Sequence, residues 1–316
     1  MIYLGLTLWM IMGILMLLER RNIRLIIYMC IFSTIGSATF LFMGSSDAAM
    51  AEAAIGAFTT IFFIICFEKY GDLKIDHLST LQEEQSNKNK TRPRIQLYKY
   101  VLPVLLVASM VGLALYFLPS GQYNVEHKNQ YLAEFLFHTQ GENAVTIIYL
   151  GYRVYDTLFE ALILVIAVVA IAHMSYFRET SVASGHKSHV GKYIVVVYVL
   201  RFICAVILMY GIYLTINGHI SAGGSFVGGL FIAAFFICRY LIYDIYDLKI
   251  RKIQRMEDMI FISIVLLAVL VIFMGAYQYH PVINQIYLIS MNIMIALKVT
   301  CGFLILFYRY VAIERR

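Results

Sequence analysis

The chain has 316 residues, of which 61% are hydrophobic and only 14% are charged, and its mean hydropathy is +0.77. An ordinary soluble domain has about 25% charged residues, so this composition excludes a water-soluble protein of the usual kind. The net charge of +6 comes from basic residues that flank long apolar stretches. Such flanking charge is a signal of membrane topology, so it indicates no nucleic-acid partner.

Apolar stretches predict where the chain crosses a bilayer. A hydrocarbon core about 30 Å thick requires roughly 20 apolar residues in a helix. The predicted spans are 2–18, 25–43, 49–67, 98–118, 155–174, 194–216, 226–242, 259–277 and 286–310. The predicted fold class is therefore all-α: a polytopic integral membrane protein with about nine transmembrane helices, placed in the lipid bilayer of the plasma membrane.

The basic residues predict the orientation of these spans. Most of the 25 Lys and Arg residues lie in alternate connections. The positive-inside rule places such connections in the cytoplasm, so the N-terminus is predicted outside and the C-terminus in the cytoplasm. The first apolar stretch has no basic region before it and no small-residue cleavage site after it. It is predicted to be a retained span.

Two hydrophilic segments divide the chain into three blocks. Residues 1–67 form a predicted three-helix block, and 68–97 a flexible or short-helical cytoplasmic linker. Residues 98–179 form a two-helix block with a long outer loop, and 180–192 a second cytoplasmic linker. Residues 193–316 form a four-helix block. The arrangement resembles three small membrane proteins joined in one chain.

A short apolar segment precedes the fifth predicted span. Residues 143–152 are apolar, but Arg153 and Asp156 follow at once. Because the segment is too short to cross a bilayer, it is predicted to be a helix that lies against the outer surface.

Four carboxylates lie near the outer ends of the third and fifth predicted helices: Asp47, Glu52, Asp156 and Glu160. Asp156 and Glu160 are four residues apart and therefore share one helix face. Paired carboxylates at this depth can bind a hard cation such as Na⁺, or pass protons if burial raises one pKa. The alternatives are helix capping by Asp47 and an ion pair between Asp156 and Arg153.

Lys298 lies near the bilayer midplane of the ninth predicted helix. A charge at that depth costs several kcal/mol, so it requires an explanation. Two interpretations stay open: a structural partner for a buried carboxylate, or a member of a proton or cation relay.

The connection between the sixth and seventh predicted helices is rich in glycine. Its sequence, NGHISAGGSFVGG, contains His219, a residue type that titrates near neutral pH. Its five glycines allow a tight re-entrant turn and close helix approach; they are Gly218, Gly223, Gly224, Gly228 and Gly229. No basic residue follows them, which favours packing over phosphate binding.

No motif of an enzyme is visible. The chain has no Ser/His/Asp set, nucleotide-binding loop or HExxH sequence. Its five cysteines fall within apolar helices and read as packing residues. His186 and His189 could both bind a metal ion, but no further metal-ligating residues accompany them in the sequence. The sequence predicts no catalytic residue, no metal and no cofactor in this chain.

Three motifs resemble known proteins. GHISAGGSFVGGL (218–230) resembles the signature of the MnhB/MrpB subunit of multisubunit Na⁺/H⁺ antiporters. SSDAAMAEAAIGAFTT (45–60) is similar to part of the C-terminal region of the large antiporter subunit, MrpA, and NAVTIIYLGYRVYDTLFEALIL (143–164) to the segment that follows it. The residues that match these last two patterns are Asp47, Glu52, Arg153, Asp156, Thr157 and Glu160. The residues that differ from the usual family patterns of the three motifs are Gly151, Tyr155, Phe159, Ala222 and Ser225.

The resemblance implies a fused protein that corresponds to the D, E and F subunits of a membrane-bound hydrogenase. Such a protein belongs to a sodium-translocating module and is not itself an enzyme. The implied partners are MrpC-, MrpD-, MrpE-, MrpF- and MrpG-like membrane subunits, together with hydrogenase or other redox subunits that hold Ni–Fe and Fe–S centres. The alternatives are a subunit of a standalone Mrp antiporter and a structural scaffold without an ion path.

On this interpretation the polar residues form parts of one cation path. Glu52 and Glu160 are predicted to line its outer part, with Asp47, Asp156 and His219 on the same side of the membrane. Lys298 would lie nearer the midplane as a mobile counter-charge.

Overall fold

The computed structural model describes residues 2–19, 21–85, 141–176, 194–243, 250–274 and 281–312. Within these ranges all regular secondary structure is helical. The predicted span 98–118 and the predicted linker 180–192 lie outside them.

Nine helical elements follow one another in the described ranges. They are α1 (Ile2–Leu18), α2 (Asn22–Phe42), α3 (Ser46–Gln85), α4 (Ala144–Ile147, continued by a π-helical turn, Ile148–Tyr152), α5 (Val154–Tyr176), α6 (Ile194–Ile216), α7 (Gly224–Tyr243), α8 (Ile250–Met274) and α9 (Pro281–Ala312). Each predicted span within the described ranges coincides with one of these helices.

Five stretches of the described chain are long and apolar enough to cross a membrane. They are 22–42, 46–65, 154–173, 197–216 and 282–309. Two shorter apolar helices cover 2–18 and 224–239.

The chain forms two compact units. Residues 1–67 and 132–316 make up the first unit, and residues 68–131 the second. All of the packing described below belongs to the first unit.

Helix α9 is the centre of the first unit and packs against α5, α6, α7 and α8. About two thirds of its apolar stretch is buried (67%), against 22% or less of the other four. Its buried residues recur every three or four positions on one face; they include Leu288, Met291, Ile295 and Val299. Most of the remaining helical surface is apolar and exposed, as expected for surfaces that contact lipid or other membrane proteins.

Two helices are longer than the sequence predicts. Helix α3 continues past residue 67 to Gln85, through the first half of the predicted linker. The residues there are rich in Leu, Lys, Glu and Gln, which favour helix, and the first proline of the chain is Pro93. Helix α8 begins at Ile250 rather than at residue 259. Its charged first turns are typical of a loop, but one face of these turns is buried.

Residues 143–152 form a helical segment, as predicted, and one of its faces packs into the first unit. Ile147 and Leu150 are completely buried in the core of that unit, whereas Val145, Ile148 and Tyr152 are exposed. The Tyr287 hydroxyl of α9 donates a hydrogen bond to the Leu150 carbonyl (3.0 Å). The sequence prediction did not include this packing against α9.

Candidate functional site

Asp47 and Asn143 form the centre of a polar junction. Asp47, in the first turn of α3, accepts hydrogen bonds at Oδ1 from Asn143 Nδ2 (3.0 Å) and from the Gly223 backbone N–H (2.9 Å). Asn143 Nδ2 also lies within donating distance of the carbonyl oxygens of Gly218 (3.2 Å) and Ser221 (2.9 Å). One side-chain amide therefore joins the start of α3, the start of α4 and the α6–α7 turn.

Asn143 also caps α4. Its Oδ1 accepts hydrogen bonds from the N–H groups of Val145 (3.0 Å) and Thr146 (3.3 Å), which have no partner within the helix. The Thr146 hydroxyl in turn donates to the Gly218 carbonyl (2.7 Å). Asn143 is not among the site residues predicted from the sequence, although an Asn before an apolar run is a recognisable capping signal.

The α6–α7 turn has a backbone that requires glycine. Gly223 has φ +125° and Gly224 has φ +65°, which side-chain-bearing residues rarely adopt. A Cβ on Gly218 would lie 2.9 Å from the Gly224 Cα, so the two ends of the turn are in direct contact.

Two further glycines allow α7 to approach its neighbours. A Cβ on Gly228 would lie 2.3 Å from Thr215 Oγ1 of α6. A Cβ on Gly229 would lie 2.5 Å from the Ala296 carbonyl oxygen of α9. The Thr300 hydroxyl lies within hydrogen-bonding distance of two carbonyl oxygens, that of Ala296 in α9 (2.8 Å) and that of Gly229 in α7 (3.0 Å).

His219 is buried at the turn, with 3% of its surface exposed. Its backbone carbonyl accepts hydrogen bonds from the N–H groups of Glu142 and Asn143 (both 3.1 Å). Its Nδ1 lies 3.2 Å from the Ile216 carbonyl oxygen, while the buried Nε2 has no hydrogen-bond partner within the described residues. Because a carbonyl only accepts, the contact with Ile216 is a hydrogen bond that Nδ1 donates.

Lys298 forms a buried ion pair with Glu257 of α8. Each side chain is only 1% exposed. The Lys298 ammonium also lies 5.0 Å from the centre of the Phe261 ring. The structure thus shows Lys298 paired with a carboxylate, a contact that both interpretations of this residue allow.

Glu257 is absent from the sequence-predicted site because the eighth span is predicted to begin after it. The spacing of residues in the sequence could have indicated that Glu257 is buried. It lies four residues after Ile253 and seven before Ile264, which are both buried on α8. This spacing puts all three residues on one helix face.

The outer carboxylates of α3 and α5 have different surroundings. Glu52 is half-buried on α3, and Glu160 is exposed on the surface of α5. Neither carboxylate makes a hydrogen bond or ion pair within the described ranges. Asp156 forms an ion pair with Arg153 in which both side chains are more than half exposed. The structure thus brings Asp47 and His219 to one junction.

Asn292 of α9 lies beneath the α6–α7 turn. Its side chain is completely buried, and neither Oδ1 nor Nδ2 has a hydrogen-bond partner in the described part of the chain. Its Nδ2 is 3.1 Å from where a Cβ of Gly218 would lie, so the amide sits directly against the turn. It too is absent from the sequence-predicted site, although a polar residue inside an apolar span is a functional signal.

The described residues contain no group of three or more His, Cys, Asp or Glu side chains placed to hold a metal ion. The polar groups instead line helix contacts. Together, the apolar helices, the buried ion pair and the glycine-rich turn define a multi-pass α-helical membrane protein.

Comparison with known proteins identifies two domains of the chain. Residues 195–314 match the domain related to the MnhB subunit of Na⁺/H⁺ antiporters, and residues 7–72 match MbhD, a subunit of MBH. The chain therefore resembles an Mrp/Mnh-type antiporter module over these two ranges.

Two curated relatives are similar to parts of the chain. The uncharacterized protein MJ1307 of Methanocaldococcus jannaschii is 29% identical over 45% of this chain and 61% of its own length. The putative antiporter subunit mnhA2 of Staphylococcus aureus is 25% identical over 53% of this chain and 19% of its own length. The chain thus covers less than two thirds of either relative.

Two solved structures share the fold. A chain of the Mrp complex from Dietzia sp. superposes with a TM-score of 0.74 at 15% identity, over 98% of this chain and 34% of that one. A chain of the membrane-bound sulfane sulfur reductase, an archaeal respiratory membrane complex, superposes with a TM-score of 0.54 at 22% identity, over 69% of this chain and 98% of that one.

Proposed function

We propose that this chain is a non-catalytic subunit of the sodium-translocating module of a multisubunit membrane complex, and that it lines part of the cation path. The proposal rests on the surroundings of the Glu52 and Glu160 carboxylates. Both lie in membrane-crossing helices, and neither carboxylate has a partner within the described residues. A carboxylate facing hydrocarbon is costly, so each one requires a cation, water or a polar group of another subunit.

The exposed position of Glu160 supports a path at a subunit boundary. The residue lies about 9 Å along α5 from Val154, among exposed large apolar side chains such as Phe159 and Ile163. A subunit that covers this face would shield the carboxylate from lipid and could hold water or a cation beside it. We infer that the partners are other Mrp-type membrane subunits and that one of them completes the cation path beside Glu160.

The proposed topology has nine spans, an outer N-terminus and a cytoplasmic C-terminus, in the plasma membrane. The alternation of basic and non-basic connections along the sequence supports this orientation. The polar junction at Asp47 would then lie on the outer side, at the entrance to the path.

We propose a hydrogenase or a related respiratory complex, rather than a standalone antiporter, as the complex to which the chain belongs. The match to MbhD and the fold shared with a chain of a respiratory reductase complex support this choice. Redox centres would then reside in partner subunits, and Na⁺ would be the transported ion. A scaffold without an ion path is the second candidate, favoured by the internally compensated Glu257–Lys298 pair.

Conservative variants in the assembled complex test the proposal. Glu52→Gln and Glu160→Gln remove charge while preserving shape, and Glu142→Gln is a matched control because that carboxylate is exposed outside the spans. We expect both span variants to assemble with unchanged subunit composition but to lose most Na⁺-dependent transport in membrane vesicles, while the control retains it. Normal transport by both assembled variants would leave the scaffold as the better account.

A further inference from the structure

We propose that a cavity between α3 and the α6–α7 pair binds one acyl chain of a membrane phospholipid. The cavity has a volume of about 440 Å³, which is within the range of about 300–1,000 Å³ typical of ligand sites. Its floor is formed by Leu230 and Ile237 of α7 and by Phe307 of α9, all of them buried. Its walls are formed by α3 and α6.

Two contacts hold α3 beside this cavity. At the start of α3, Asp47 accepts a hydrogen bond from the Gly223 N–H (2.9 Å), and a Cβ on Gly223 would lie 3.2 Å from Met50 Cε. Further along, the Phe58 ring packs edge-on against Phe303 of α9, with 4.6 Å between the ring centres. The α3 side chains on the cavity wall include three short ones, which leave space beside α6 and α7: Ala53, Ala54 and Ala57.

The lining of the cavity selects a hydrocarbon. Its side chains are aliphatic or aromatic, with the Tyr210 hydroxyl and the Cys238 thiol as the polar groups, and no charged residue of the described chain lines it. Buried water needs about two to four polar partners, and a buried charge needs a counter-charge, so the lining favours neither. An empty apolar cavity leaves its lining without dispersion contacts, which a hydrocarbon chain restores.

The dimensions of the cavity favour a single chain over a helix. The lining residues of α3 run from Met50 to Phe62, about 18 Å along the helix. This length is close to half of a hydrocarbon core about 30 Å thick, which is the depth that one acyl chain covers. A helix of the same length and about 10 Å wide would occupy roughly 1,400 Å³, about three times the cavity. A helix of a partner subunit or of a second copy of this chain is therefore too large.

The surroundings of the cavity orient the lipid. The Met50 end adjoins the α6–α7 turn and the polar junction at Asp47. The exposed rings of Tyr210 and Tyr213 stack on α6 near this end, and tyrosines are enriched where a membrane meets water. The head group therefore lies at the Met50 end, and the chain extends toward Cys238.

This lipid would lie between the two ranges of the chain that match known domains. Helix α3 begins within the range that matches MbhD, whereas α6, α7 and α9 lie within the range that matches the MnhB-related domain. An acyl chain in the cavity would thus stabilise the contact between the two domains. The inference does not depend on the proposed cation path, because neither Glu52 nor Glu160 lines the cavity.

Photolabelling of the assembled complex in phosphatidylcholine vesicles tests the site. The probe is a phosphatidylcholine that carries a diazirine at the end of one chain, and labelled residues are mapped by mass spectrometry. We expect labelling of Phe62, Ile237 or Cys238 to exceed that of the exposed Ile166 and Val169 of α5 at least about fivefold, because about ten additional carbon–carbon contacts favour the bound chain by that factor. Equal labelling of the cavity and of the α5 surface would mean surrounding lipid only and would overturn the proposal.

A second probe tests the orientation. A phosphatidylcholine with the diazirine next to the head group should label Met50 or Tyr210 instead of Phe62 or Cys238. The reverse order of the two probes would overturn the assigned orientation of the lipid.

A variant that fills the cavity provides the comparison. Ala57→Phe places a ring in the cavity, whereas Ala205→Phe adds the same ring at an exposed position of α6 that does not line it. We expect Ala57→Phe to reduce cavity labelling to the level of the α5 surface and Ala205→Phe to leave it unchanged. Undiminished labelling in an assembled Ala57→Phe complex would contradict the site, and Ala53→Leu serves the same purpose if that complex does not assemble.

Thermal unfolding of the delipidated complex gives an independent result. A ligand that binds only the folded protein raises its unfolding temperature. Added phosphatidylcholine should therefore raise the unfolding temperature more for the natural protein and for Ala205→Phe than for Ala57→Phe. An equal rise in all three would refute a specific chain in this cavity.

Discussion

The buried pair of Glu257 and Lys298 gives the sharpest stability prediction. Both side chains are 1% exposed and form an ion pair with each other. Removing one partner leaves an uncompensated buried charge, which costs about 3–5 kcal/mol. Removing both charges with side chains of similar shape is often neutral, because the cost of desolvating the ions disappears as well.

The test is a double-mutant cycle in the detergent-solubilised complex. We expect Lys298→Met and Glu257→Gln each to lower the free energy of unfolding by about 3–5 kcal/mol. The double variant should recover most of this loss, so the coupling between the two sites is large. Chemical denaturation, monitored by thiol labelling or circular dichroism, gives the free energies of unfolding.

The exposed pair of Arg153 and Asp156 is the matched control. Its side chains are 69% and 53% exposed. Solvent screens such a pair, so Arg153→Gln should cost less than about 1 kcal/mol. If each single variant of the buried pair were as mild as this control, or if the double variant were no more stable than the singles, the reasoning would be refuted.

Two further predictions concern the junction and the close helix approach. Asn143→Ala removes the cap of α4 and the hydrogen bond to Asp47, and should lower the free energy of unfolding by about 2–3 kcal/mol. The control is Val145→Ala, at a half-exposed position, which should have little effect. Equal effects of the two variants in a denaturation assay would contradict the role assigned to Asn143. Gly229→Ala places a Cβ 2.5 Å from a backbone oxygen of α9 and should cost about 1–3 kcal/mol or block assembly. Gly13→Ala meets only an ordinary contact at 3.4 Å and raises helix propensity, so it should be neutral or slightly stabilising. A similar loss in both variants on size-exclusion chromatography and thermal unfolding would contradict the packing explanation.

Hydropathy was enough to assign the chain to the class of multi-pass membrane proteins. Hydropathy and length locate membrane-crossing helices because each span must satisfy its own backbone hydrogen bonds and cross an apolar layer about 30 Å thick. These are local properties, so they can be read from a window of about 20 residues. The glycine-rich motif (218–230) and the carboxylate motif at 45–60 likewise indicated an Mrp/Mnh-type antiporter module, which the matches at 7–72 and 195–314 confirm.

Which polar groups lie in contact depends on the packing of the helices. Glu257 and Lys298 are 41 residues apart, and Asp47 and Asn143 are 96 apart. Contacts of this kind depend on how each helix is rotated and how far it is shifted along its neighbour. Neither quantity is contained in the hydropathy of either helix alone.

The same reason explains two features of the site that the sequence did not predict. The length of residues 143–152, too short to span a bilayer, predicts a surface position, but it does not predict that Ile147 and Leu150 on one face pack into the core beside α9. Charged residues are usually assigned to exposed loops, so the sequence analysis placed Glu257 before the eighth span. A charge is stable inside a membrane protein when its partner is supplied by another helix, and here that partner is Lys298 of α9.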